Sequence, residues 1–551
     1  MLQKNILSFV KNYGLIFAVF LAAPYFVLTP LFQYETWPGG HDSWGTLFNA
    51  WMMVKTLWED PHIPVIWQAD NAGYNGNPHW AFYQPLSFII VYLTSLFTSI
   101  FNNDLVCSGL KGAVYLSFLI SEIGMFILLR TIFKDVENRN LISLYGGLIY
   151  LLAPYRFIDL YSRNAYSELW VLSWMPFYFL GFYKLFFLKE TKGWLLIAIS
   201  TPVLFISHLM PSFFFIIIIH LSLLFFLIVK RNLISFILEN KKVILWWFIA
   251  NIIGGIASLI YILPAINVLK YLNGDITGFD RVDLNTVLNH IEWSYAFLDL
   301  RNFGERWSAG QLFLISFLIL NFLLLSKKKL IYKDLAIFLT VSTIITLIFL
   351  LSKTLWEHLP PICYGLQFSW RLFLVYSLLC SIIITLVITE MNIKIPVLII
   401  LLIFHFYTCE KFLHSGGEDL LVKHFNVESW VNNLHEKGSI VLNSHSPHSV
   451  LTKTSDPVLF NFTNTDKNFS NTVLLNLKPG ITILSHEHKG NTFIYELLLD
   501  NPAFLIFKQY FHPTWELYID SKKTKNLYLT DLGHIGFEVP KGKHFVKIRT
   551  D

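Results

Sequence analysis

The chain has 551 residues, 54% of them hydrophobic and 14% charged, with a mean hydropathy of +0.52. Soluble domains carry about 25% charge, so this composition excludes a soluble globular enzyme, a disordered chain and a fibrous one. The formal charge of +5 is too small at this length to mark a nucleic-acid binder, and the four cysteines (Cys107, Cys363, Cys380, Cys409) fall in no metal-binding or disulfide spacing.

A helix that crosses the bilayer needs about 20 mostly apolar residues. Eleven segments qualify: 14–34, 110–129, 141–158, 168–187, 193–209, 211–229, 243–267, 310–326, 335–352, 372–389 and 395–409. The first reads as an uncleaved helix rather than a signal peptide, because Pro24 follows Ala22-Ala23 where cleavage would fall. The run 85–101 is also apolar, and its placement sets the orientation of everything after it. If it lies along the outer surface, the inner segments hold 17 Lys and Arg in 59 residues and the outer loops 9 in 151. If it crosses, Lys230-Arg231, Lys241-Lys242 and Lys327-Lys328-Lys329 all face outward, against the positive-inside rule. The interfacial placement therefore wins, with the N-terminus cytoplasmic.

The predicted fold is an α-helical polytopic membrane protein of about 11 transmembrane helices over residues 1–409. Residues 35–109 form its first extracytoplasmic loop. With an odd number of spans the tail, 410–551, lies outside. Its short alternating runs, such as NTVLLNL, GITILSH and HFVKIRT, are separated by turn signals and predict a β-rich extracytoplasmic domain.

The unusual polar residues gather on the outward side. In the first loop, Gly39-Gly40 precede His41-Asp42 and an aromatic-rich amphipathic helix from Trp44 to about Trp58, suited to the membrane interface. Asp42 then stands at a helix N-terminus, where it reads either as an N-cap or as a working carboxylate. After the third span come Arg156, Asp159, Arg163 and Glu168. These read as an anionic-headgroup site or as interfacial ion pairs. His208 ends the fifth span, and Gln367 and Arg371 enter the tenth from outside. An arginine at the edge of an apolar run is costly unless paired or bound to an anion. In the tail, His486 and His488 share one strand face without an identifiable third ligand, and the sequons at Asn461 and Asn468 are near chance. No GxSxG, HExxH, Walker A or dinucleotide motif is present.

Taken together, these pieces resemble the GT-C class of membrane glycosyltransferases. More closely they resemble the YfhO-like bacterial membrane proteins and the related group labelled "6-pyruvoyl-tetrahydropterin synthase-related". The matching residues are Gly40-His41-Asp42, Pro64-Val65-Ile66-Trp67, Gly73-Tyr74-Asn75-Gly76-Asn77-Pro78, Phe82-Tyr83-Gln84-Pro85-Leu86, Pro154-Tyr155-Arg156, Asp159-Leu160-Tyr161, Arg163, Glu168, Ser207-His208-Leu209, Gln367-Phe368-Ser369-Trp370-Arg371 and Phe511-His512-Pro513-Thr514-Trp515. One departure is the ending, since relatives often return to the membrane after the β domain and this chain stops at Asp551.

The resemblance implies a bacterial inner-membrane enzyme, its partners a polyprenyl-phosphate sugar donor and a glycan or envelope-polymer acceptor, with no nucleic acid. It makes Asp42 the catalytic base with His41 and Glu168 beside it. Arg156, Asp159, Arg163, His208, Gln367 and Arg371 become substrate-binding residues. The charge on the leaving phosphate falls to Arg163, to Arg371 or to a divalent cation, Mg or Mn, held by Asp42 and Glu168. Two other readings compete: a non-catalytic assembly or scaffold protein, and a lipid or polysaccharide transporter. The spans are nearly without charge at their centres, which argues against the transporter.

Overall fold

The structure is a computed structural model. It describes residues 2–33, 37–69, 76, 78–100, 104–269, 284–291, 311–326, 329–410, 474–475, 480–512, 514–524, 526–529 and 534–550. The sequons, residues 73–75 and most of the predicted loop 268–309 lie outside the described residues.

Helices dominate up to residue 410. The main ones are α1 (Leu2–Val27), α2 (Ser43–Glu59), α3 (Pro85–Thr98), α4 (Leu105–Ile132), α5 (Arg139–Leu151), α6 (Tyr166–Phe186), α7 (Gly193–Ser207), α8 (Leu209–Val229), α9 (Lys241–Leu269), α10 (Gln311–Leu325), α11 (Lys333–Leu351), α12 (Phe373–Glu390) and α13 (Ile395–Glu410). Among the described residues, α4, α8, most of α9, α11 and the segment Ser369–Glu390 are long and apolar enough to cross a membrane. The pair Arg139–Leu151 and Pro154–Arg163, bent by 42°, makes a sixth if it is one span. This is a multi-pass membrane protein, but length and composition do not reach the eleven spans read from sequence. At four of the other positions the apolar helices, Ile16–Val27, Gly193–Ser207, Leu312–Leu325 and Ile395–Tyr407, are only 10–17 residues long. The α6 helix has 21 residues, with Glu168 and Lys184 in its end turns.

The chain divides into two compact units. The first combines Met1–Thr46, Lys111–Ser258 and Val282–Lys423. Its centre is the span ending in α12, 94% buried, whereas the α9 span is 22% buried. Leu245, Phe248, Ile252 and Ile256 of α9 stand exposed, an apolar surface that a soluble protein would hide and that lipid accepts.

The second unit combines Leu47–Leu110, Leu259–Arg281 and His424–Asp551. Its strands are β1 (Leu474–Leu475), β2 (Ile481–Lys489), β3 (Thr492–Leu499), β4 (Ala503–Tyr510), β5 (Glu516–Ile519), β6 (Lys522–Thr524), β7 (Tyr528–Leu529), β8 (His534–Val539) and β9 (Gly542–Arg549). They form two antiparallel sheets, ordered β1-β4-β8-β7 and β2-β3-β9-β5-β6. Alternation along β3 turns Phe493, Tyr495, Leu497 and Leu499 into a shared core with Phe507, Trp515, Phe537 and Ile548. Trp67 and Ala69 belong to that same core. Trp67 donates from Nε1 to Gln509 Oε1 (2.8 Å), and Gln509 Nε2 and Asn491 Nδ2 return bonds to the carbonyls of Ala69 and Trp67 (3.0 Å each). Gly76, at φ +69°, passes so close that an added Cβ would lie 2.1 Å from Gln509 Oε1. A division at residues 409/410 is therefore not the division of the compact units: the first-loop segment from Leu47 packs with the tail.

Also in the second unit, α3 has 14 residues and rises about 21 Å, short of the roughly 30 Å hydrocarbon core. It buries Ser87, Thr94 and Ser95 on one face and exposes Leu93, Leu96 and Phe97 on the other.

Candidate functional site

The first unit carries the site. Between α5 and α6 the chain makes a π-helical turn, Ile158–Arg163, closed by Asn164 in the left-handed region (φ 59°). Such turns are rare and are frequent at functional sites. This one sets Asp159 and Arg163 side by side, Oδ1 to Nη1 at 2.7 Å. Asn164 then leads into α6, whose first turn carries Glu168.

Glu168 joins the charges. Its Oε1 accepts from Arg163 Nη2 (2.9 Å) and pairs with Arg371 Nε (3.0 Å). Its Oε2 accepts from Arg163 Nη1 and from the Tyr155 hydroxyl (3.1 Å each). Arg163 Nη1 also donates to the Tyr155 oxygen (2.7 Å). Arg163, Asp159, Glu168 and Tyr155 are all buried. Inside a protein such pairs are weakly screened, so removing one partner leaves a costly uncompensated charge.

Arg371 arrives from a short 3-10 turn, Ser369–Leu372, just after Gln367 at φ 66°. Its Nη1 donates to Leu366 O (3.0 Å), and its guanidinium lies 5.4 Å from the Phe368 ring centre. Phe368 stacks on Trp370 (4.4 Å between centres), and His290 meets both rings edge-on at 4.8 and 5.1 Å. His208 occupies an extended break between α7 and α8 (φ −162°). It lies close enough to Glu168, Arg371 and Arg163 to interact electrostatically with them, and its Nδ1 is buried with no hydrogen-bond partner among the described residues.

Asp42 is brought to the same place by the backbone. The segment Trp37 to Asp42 lies along the π turn. His41 N donates to Ser162 O (3.1 Å), Asp42 N to Arg163 O (2.9 Å), and Asn164 Nδ2 to Pro38 O (3.1 Å). Gly40 is required by that approach, since an added Cβ would lie 2.9 Å from Ser162 O. Asp42 immediately precedes α2, its carbonyl accepting from Thr46 N (2.8 Å). Burial pushes the Asp42 carboxyl above its ordinary range, while Arg163, Arg371 and His41 pull it down and Glu168 pushes it up. Arg163, Arg371 and Glu168 thus act on it together, with Asp159 paired to Arg163.

Of the predicted residues, the structure gathers Asp42, Asp159, Arg163, Glu168, His208 and Arg371, with His41 and Gln367 adjoining in sequence. Arg156 meets the cluster through Asp159, with which it interacts electrostatically. Fully buried, it donates from Nη1 to Ser121 Oγ (2.8 Å) and lies over the rings of Phe118 and Tyr150 (4.7 and 5.1 Å). It interacts electrostatically with Glu122, whose buried carboxylate has no hydrogen-bond partner among the described residues. Glu122 lies well inside α4, an ionisable group at the centre of a span. Glu122 and His290 carried no expectation from the sequence, and Tyr155 entered only through the match Pro154-Tyr155-Arg156 and was given no role. A buried acid within an apolar run was the available signal for Glu122.

Both Glu168 oxygens face guanidinium groups, and no group of three His, Cys, Asp or Glu able to hold a metal occurs among the described residues. In the tail, His488 Nε2 is bonded to Gly490 O (2.8 Å) and its ring stacks on Phe493 (4.1 Å), away from ligand geometry with His486.

No protein-family model matches the sequence, and no curated protein matches it. Among solved structures it is similar to the archaeal oligosaccharyltransferase AglB of Archaeoglobus fulgidus in complex with an inhibitory peptide and a dolichol-phosphate. That match has a TM-score of 0.48 and 11% identity, covering 75% of this chain and 57% of that one. An Archaeoglobus fulgidus oligosaccharyltransferase tethered to an acceptor peptide containing the NVT sequon gives a TM-score of 0.48 at 10% identity, with the same coverage. Its complex with Zn and sulfate gives 0.46 at 13% identity, covering 73% and 54%. The chain thus spans less than three fifths of the length of these proteins.

Proposed function

We propose that this chain is a GT-C-type membrane glycosyltransferase that moves a sugar from a polyprenyl-phosphate donor to a hydroxyl of an envelope acceptor. The full reading has eleven spans, the N-terminus in the bacterial cytoplasm, and the reaction and β-rich unit on the outer side. It rests on one arrangement: the half-buried Asp42 beside two arginines bridged by Glu168.

In the transfer, the acceptor oxygen attacks the anomeric carbon. The bond from that carbon to the phosphate oxygen breaks, and its electron pair leaves on the lipid phosphate. Asp42 takes the acceptor proton; its raised affinity for protons suits that task at the cost of a smaller ionised fraction. Arg163 and Arg371, fixed by Glu168, place positive charge where the leaving phosphate gains negative charge. Preorganisation of this kind loses little when charge develops, because the cations need not reorient. A lipid-linked donor also needs no nucleotide-binding loop, in keeping with the absent phosphate-loop motifs. No step is routed through a metal.

One observation favours the scaffold reading instead: Arg163 already meets Asp159, Glu168 and Tyr155, so its guanidinium is engaged without a ligand. Transfer assays with purified full chain separate the two. A labelled polyprenyl-phosphate hexose should yield glycosylated acceptor, while a nucleotide-linked hexose should yield none. Absence of product from the lipid-linked donors across a panel of sugars and envelope acceptors would favour the scaffold.

A further inference from the structure

At the other end of α5 from the π turn, the link from α4 to α5 borders a half-open cavity of about 140 Å³ lined by Ile127, Arg130, Thr131 and Arg139. Ile127, Arg130 and Thr131 share one face of α4 by their three- and four-residue spacing. Both guanidinium groups are oriented: Arg130 Nε donates to Asn140 Oδ1 (2.8 Å), and Arg139 Nη1 to Lys134 O (3.0 Å). The acids of this link, Asp135 and Glu137, do not line the cavity, and Asp135 interacts with Tyr183 and Tyr332. Two planar cations facing one small space match the fork geometry that binds a phosphate. The apolar wall says which phosphate. Ile127 and Leu141 are each 39% exposed, on helices of which one is a candidate span and the other part of the bent pair.

We propose that this cavity binds the phosphate headgroup of an anionic phospholipid, with an acyl chain lying along Ile127 and Leu141. Basic pockets between spanning helices at the membrane boundary take such headgroups. The 13 residues of α5 rise about 20 Å, so this site is separate from the carboxylate–guanidinium cluster and stands whether or not the chain transfers sugars.

The test is native mass spectrometry of the purified full chain with phosphatidylglycerol or phosphatidylcholine, with and without millimolar inorganic phosphate. Phosphatidylglycerol should be retained, phosphatidylcholine not, and inorganic phosphate should not displace the lipid. The R130Q/R139Q variant should weaken retention by about fivefold per arginine. Ile127→Trp, which fills the cavity without changing charge, should weaken it as well. That variant decides the matter if the double variant does not fold. Unchanged retention in Ile127→Trp, equal retention of both lipids, or displacement by inorganic phosphate would overturn the proposal.

Discussion

Glu168 accepts from Arg163 and Tyr155 and pairs with Arg371, all while buried. Its loss should therefore be felt in folding before it is felt in chemistry. Glu168→Gln is nearly isosteric but removes the charge that compensates two guanidinium groups, and breaking a buried pair in this way costs about 3–5 kcal/mol. Thermal unfolding of the detergent-solubilised protein should show a clear loss of stability, whereas an unchanged transition would mean that the arginines are compensated elsewhere. The residues of this network were legible as charges at the ends of apolar runs, because such charges are rare enough to stand out one by one. Tyr155 was not, since nothing in a tyrosine beside Pro154 predicts that its hydroxyl bridges an arginine and a glutamate. Glu122 was passed over for the opposite reason: one acid is averaged away in the hydropathy of a 28-residue helix.

At the scale of elements, the spanning helices announce themselves by composition, and the strands after residue 480 by alternation and turn residues. What composition could not reveal is the π turn, which differs from an ordinary helix end by one residue of winding. Nor could it reveal the partnership of Trp67 with Gln509, 442 positions away. Local pattern carries no information about such a contact. The sequence therefore ran the membrane domain to residue 409, whereas Trp67 fills the core between strands of the tail. Trp67→Ala should create a cavity costing about 3–5 kcal/mol. In hydrogen exchange on the full chain, β3 and β4 should lose protection while α12, in the other unit, keeps it. Unaltered exchange in both strands would show that the first-loop segment is not part of that core.

For the whole molecule, hydropathy and the distribution of Lys and Arg are enough to read a membrane body with a β-rich tail. They do not say how many of the shorter apolar helices cross the bilayer, because helices of 10–17 residues fall below the length that decides the matter. The functional reading depends less on that count than on one meeting of segments. A loop before α2 lies on a π turn before α6, and Asp42 is thereby set beside Arg163 and Arg371. The most direct measurement is the rate of sugar transfer from a polyprenyl-phosphate donor by Asp42→Asn, compared with the unaltered chain at matched folding. Loss of a general base predicts a fall of about 10²–10⁴-fold in kcat, with the thermal transition preserved. Transfer at the unaltered rate would contradict the assignment of Asp42 as the group that takes the acceptor proton.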